Sequence, residues 1–145
     1  MKHPAFTLVE MLLVLFILTT LASLGVQGYQ GMQTAMEREH FFRKFESNVY
    51  LAIESAMTTN DWTNINVGTD SLSITIPNHF SKSLVQKLPP DLSISSSNHI
   101  IYFKKATANY APTAKIIFTD KHYKKRITYQ FYFGSGRYEK TISQL

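Results

Sequence analysis

Cysteine is absent from this chain of 145 residues. That absence excludes a disulfide framework, a thiolate metal site and a thiol nucleophile, so a folded domain must hold by packing alone. Glycine is scarce, with six residues and no Gly-rich run, so no Gly-rich loop is present to cradle a phosphate. No proline occurs between Pro4 and Pro77, and proline is what would break a long helix there. Acidic side chains are fewer than basic ones, 10 against 15, for a net charge of +5. Such a balance permits contact with nucleic acid, anionic lipid or an acidic polymer, and selects none of them.

What the chain does have is one long apolar run, Phe6 to Val26, which begins after only five residues, Met-Lys-His-Pro-Ala. As a helix it is long enough to cross most of a bilayer's hydrocarbon core. It carries one ionisable residue, Glu10, and no Lys, Arg or His lies between His3 and Arg38. A carboxylate at the centre of a membrane helix costs about 2.5 to 3.5 kcal/mol on insertion scales, so Glu10 calls for a partner. A secretory signal peptide is the competing reading, with small residues at Leu21-Ala-Ser-Leu-Gly25 for a cut after the run. Such a signal gains nothing from a buried carboxylate.

The run Ala5-Phe6-Thr-Leu-Val-Glu10, followed by apolar residues, resembles the processing signal of the type IV pilin and pseudopilin family. The resemblance implies a cut by a prepilin peptidase between Ala5 and Phe6, methylation of the Phe6 nitrogen and an assembly role for Glu10. The family usually has Gly before the cut; this chain has Ala5, the nearest residue in size. Such a cut would create an ammonium at Phe6 that a carboxylate in low dielectric attracts. Glu10 would also suit the positive end of the helix dipole. The expected organisation is a leader at 1–5, a transmembrane helix at 6–28 and a pilin-like domain at 29–145 that includes an amphipathic helix half at 29–58.

The helical pattern continues past Gly25, Gly28 and Gly31. Phe42, Phe45, Val49, Ala52 and Ala56 recur three and four apart, with Phe41 and Ile53 beside them and Glu37, Arg38, Glu46 and Glu54 off the stripe. This predicts an amphipathic face against a core. Thr58-Thr-Asn-Asp61 ends the pattern. Beyond it the period becomes two: Leu72 to Ile76, Leu92 with Ile94, Ile100 to Phe103, Ala114 to Thr119, Arg126 to Phe133 and Arg137 to Ile142. Gly134-Ser-Gly136 reads as a hairpin turn, and Ser81 to Leu88 stays undecided between short helix and strand. The expected class is α+β: a long N-terminal helix packed on an antiparallel sheet. The late strands and the Gly134 turn are similar to H-type minor pseudopilins and to D-type minor pilins of Gram-positive competence systems.

No catalytic cluster is legible. Ser135 falls in a turn without a nearby His, and Glu37 with His40 forms a single Glu-x-x-His where a bundle metal site wants two. His79, His99 and His122 have no ligand spacing, so the expectation is no enzyme, no metal and no cofactor. Lys121, Lys124, Lys125 and Arg126 surround His122 and Tyr123, and Lys104 and Lys105 follow Tyr102 and Phe103. Interleaved cations and aromatics suit single-stranded nucleic acid. The plainer reading, an edge hairpin kept soluble by lysines, is favoured. The resemblance implies a structural minor subunit of a DNA-uptake pilus, first in the cell membrane with its N-terminus cytoplasmic and then in a surface filament. Its implied partners are the prepilin peptidase, major and minor pilins, the assembly machinery, membrane lipid and, weakly, DNA. Alternatives are a minor subunit of a type II secretion or motility pilus, and a membrane-anchored DNA receptor.

Overall fold

The computed structural model describes residues 7–59, 61–77, 83–95, 99–108, 114–132 and 137–145, except for the side chains of 24–30. The chain divides into two compact units, Met1–Glu39 and His40–Leu145. One helix, α1 (Leu8–Thr58), runs through both. With no proline in its span, nothing interrupts its i→i−4 ladder. Gly31 is exposed, and a Cβ placed there would meet nothing within 4 Å, so no close approach demands glycine at that point. The helix closes on hydroxyls: Thr58 Oγ1 donates to the Glu54 carbonyl at 2.9 Å and Thr59 Oγ1 to that of Ser55 at 2.6 Å. These side chains compete with the backbone for its own partners and favour a stop.

Eight strands follow: β1 (Thr63–Val67), β2 (Ser71–Thr75), β3 (Leu84–Lys87), β4 (Leu92–Ile94), β5 (His99–Phe103), β6 (Ala114–Asp120), β7 (Lys125–Phe131) and β8 (Tyr138–Gln144). The class is α+β with antiparallel pairing throughout. The expectation of a single sheet is corrected: the strands form two sheets, ordered β3-β2-β1-β5 and β4-β6-β7-β8. Strand β1 was missed, because Thr63-Asn-Ile-Asn-Val67 alternates with only two strongly apolar residues, Ile65 and Val67. The undecided stretch Ser81 to Leu88 contains β3. The Gly134-Ser-Gly136 turn and Phe133 lie outside the described residues.

Within His40–Leu145, the helix places Phe41, Phe45, Val49, Ala52 and Ala56 in the core. The expected stripe is one residue off at its start, where Phe41 is buried and Phe42 only half-buried. Arg38, read as off the stripe, is also buried. The second sheet meets the helix through rings: Phe45 lies 5.6 Å from Phe118 and 5.0 Å from Tyr129, both edge-to-face. Such pairs add about 0.5 to 1.5 kcal/mol beyond area burial. The first sheet meets the helix through hydrogen bonds. Gln86 Nε2 donates to the Phe41 carbonyl at 2.7 Å, and Thr63 Oγ1 donates to the Ala52 carbonyl at 2.8 Å. The backbone amide of Ala106, just past β5, donates to the Ala56 carbonyl at 2.8 Å. Phe103 and Phe131, 6.0 Å apart, join the two sheets.

Candidate functional site

The expected cleavage site, Ala5 and Phe6, lies outside the described residues. The described chain opens on Thr7, whose Oγ1 accepts the Glu10 amide at 3.3 Å and whose carbonyl accepts the Met11 amide at 3.2 Å. Thr7 therefore caps α1, and Thr7-Leu-Val-Glu10 has the spacing of a capping box, with Glu10 in the first turn. A carboxylate there is favoured by the exposed amides and by the helix dipole. Glu10 thus has a local reason for its position besides any contact with an amine.

From Leu8 to Leu21 the apolar side chains are exposed, Leu8 at 77% and Phe16 at 69%. The hydroxyls of this stretch bond back to the helix backbone. Thr19 Oγ1 donates to the Leu15 and Phe16 carbonyls, Thr20 Oγ1 to those of Phe16 and Ile17, and Ser23 Oγ to that of Thr20, all within 3.0 Å. Hydroxyls bonded inward leave this stretch of the helix with a mostly apolar surface. Among the described residues no helix is long and apolar enough to cross a membrane. The described apolar side chains stop short of 24–30, so the expected transmembrane segment at 6–28 lies partly outside them.

The basic cluster occupies the tip of the β6–β7 hairpin. Asp120 Oδ1 accepts the amides of His122 and Tyr123, each at 3.0 Å, and Lys124 takes a left-handed φ of 50° to return the chain. Residues that accept two local amides build such turns. The structure corrects the edge-hairpin reading, because β6 and β7 are the central strands of their sheet and β4 and β8 are its edges. It also does not gather the four cations on one face. Lys125 shares a face of β7 with the buried Ile127 and Tyr129, whereas Arg126 points to the opposite face with Thr128. Lys125 Nζ instead lies 6.0 Å from the Tyr123 ring centroid.

A constellation that sequence reasoning missed sits where α1 meets the second sheet. Glu46 Oε1 accepts from the Tyr129 hydroxyl at 2.6 Å and from Lys140 Nζ at 2.7 Å. The ammonium also lies 5.6 Å from the centroids of both Phe42 and Tyr129. Burial pushes the Glu46 carboxyl up, but the Lys140 and Tyr129 bonds outweigh it and hold the group below its ordinary value. Burial first, then the bond to Glu46, pushes the Tyr129 hydroxyl well up. The available signal was Tyr129 itself, since a tyrosine on the core-facing side of a strand needs a partner for its hydroxyl.

Glu37 and His40 are both exposed on α1. Among the described residues no three metal-ligating side chains come together. No match emerges from comparison of the chain with family models, curated proteins or solved structures.

Proposed function

We propose that this chain is a minor pilin or pseudopilin, a structural subunit of a DNA-uptake filament with a pilin-like fold. One observation carries the reading: α1 starts just after Thr7, has a lone carboxylate in its first turn, exposes apolar side chains through Leu21 and continues into an α+β domain. The apolar stretch would hold the subunit in the membrane and then pack against other subunits. Glu10 would set axial register by meeting the new Phe6 amine of a neighbour, an ion pair that gains strength in low dielectric. The folded domain would stand on the filament surface. Secretion or motility filaments need the same parts, and the competence assignment rests on the resemblance of the late strands. The split faces of Lys125 and Arg126 weigh against a DNA receptor built on the basic turn.

Intact-mass measurement on membrane-extracted protein tests the reading. A mature chain beginning at Phe6, heavier by one methyl group, is expected; a chain beginning near Val26 would replace the proposal with an ordinary secretory signal. Glu10→Gln separates the two roles of the carboxylate, because glutamine keeps the capping box and discards the charge. Loss of co-purification with the major subunit in this variant is the expected result, and normal incorporation would leave Glu10 as a helix cap alone.

A further inference from the structure

The outward face of the first sheet is a second surface with its own chemistry. Alternation in β1 turns Thr63, Ile65 and Val67 into the core, which leaves Trp62, Asn64 and Asn66 on the outer side. Asn64 pairs with Tyr102 on β5, and Asn66 with Ile100. Trp62 and Tyr102 are therefore diagonal neighbours on one face, each 47% exposed, at a separation of about 7 to 8 Å between Cα positions. Rings left that open keep a solvent-facing side on which another ring can stack. On this face Asn66, Val85, Lys87, Ile100 and Tyr102 are exposed, and Asn64, Ser71, Ser73 and Thr75 are half-buried.

The strands of this face carry no carboxylate. The strands β1, β2, β3 and β5 read Thr-Asn-Ile-Asn-Val, Ser-Leu-Ser-Ile-Thr, Leu-Val-Gln-Lys and His-Ile-Ile-Tyr-Phe, with no Asp or Glu among them. Lys87 sits at the end of β3 and Lys104 directly follows β5, both exposed. Asp61, directly before Trp62, and Asp70, directly before β2, place carboxylates at the rim rather than between the strands. Two open rings flanked by amide side chains, with cations at opposite edges and no carboxylate between, complement a flexible polyanion that carries flat rings. We propose that the outer face of this sheet binds single-stranded nucleic acid, with bases stacking on Trp62 and Tyr102 and backbone phosphates meeting Lys87 and Lys104. Every base has a π-face, so such a platform is tolerant of sequence, and the amides of Asn64 and Asn66 offer donors and acceptors to base edges. A neutral glycan would use the rings but leave the cations without a role. This inference goes beyond the filament reading and does not depend on it.

Trp62 is the chain's one tryptophan, so its emission reports the site directly. Full-length protein in neutral detergent micelles is titrated with an oligothymidylate of about ten nucleotides. The expected result is saturable quenching, with log affinity falling against log salt at a slope of about −1.4, from two phosphate contacts at about 0.7 each. Anisotropy of a labelled oligonucleotide follows the variants. Tyr102→Ala, an exposed position, is expected to weaken binding at least about fivefold, with Tyr102→Phe restoring it. Lys104→Gln is expected to flatten the slope, and Gln at Lys121, Lys124, Lys125 and Arg126 to leave the Trp62 response in place. The proposal is overturned if oligothymidylate leaves Trp62 emission unchanged, if a neutral oligosaccharide quenches it instead, or if affinity survives Tyr102→Ala but not the hairpin substitutions. The mass and incorporation experiments on the filament reading have separate readouts.

Discussion

Burying the Tyr129 ring while aiming its hydroxyl at Glu46 ties β7 to α1 through a single proton donor. The two groups respond to pH in opposite directions. Glu46 titrates below its ordinary 4.5 in the folded chain, so its stabilising share is present above that pH and is lost as pH falls through the lowered value. Tyr129 titrates above its ordinary 10, so its share is intact below pH 10 and is lost as pH rises beyond it. Tyr129→Phe is expected to cost about 1 kcal/mol at neutral pH. It should also blunt the alkaline fall in stability; an unchanged alkaline limb in denaturant titrations would move that fall to other tyrosines. Glu46 is a third exposed, so solvent screening keeps the Lys140 pair modest. Lys140→Met should mainly shift the acid limb toward the ordinary carboxylate range.

Along α1, the buried positions step four, four, three and four residues from Phe41 to Ala56. Phe45 is fully buried between Phe118 and Tyr129. Phe45→Ala should destabilise the domain by about 3 to 5 kcal/mol, read from the denaturant midpoint at constant m-value. The β1–β2 hairpin sets a second test. Gly68 donates its amide to the Ser71 carbonyl at 3.0 Å, and a Cβ added at Gly68 would stand 2.9 Å from that same backbone oxygen. Backbone cannot step aside as a side chain can, so Gly68→Ala should cost about 1 to 3 kcal/mol. A neutral result would show that the turn relaxes without losing the Val67 and Leu72 pairing.

For the protein as a whole, the filament proposal and the nucleic-acid platform assign work to different surfaces. Deleting a structural subunit should abolish the filament, and DNA uptake with it. Replacing Trp62 and Tyr102 by Ala should leave filaments assembled, since both side chains are exposed, and reduce DNA capture alone. Filament loss in that double variant, seen by electron microscopy, would mean that the face contacts another subunit.

Much of the fold was legible before any coordinates because it follows from local rules. A proline-free apolar run marks a helix, expected from residue 6 and found to start at Leu8 after the Thr7 cap. Apolar spacing of three and four carries it to Thr58, alternation marks β2 and β7, and the apolar run Ile116-Ile-Phe118 marks β6. Short-range chemistry decides each of these, and the chain displays it residue by residue. Long-range pairing is not displayed in that way. Whether the strands close one sheet or two depends on partners far apart in sequence, such as β1 with β5 and β4 with β6. Period two alone could not split them. The basic cluster looked like one patch in sequence, although the local pleat of β7 already sends Lys125 and Arg126 to opposite faces. Conversely, Glu46, Tyr129 and Lys140 looked unrelated and meet around one carboxylate oxygen. Trp62 and Tyr102, forty residues apart in the printed sequence, become neighbours only because β1 and β5 pair in a register that local sequence does not encode.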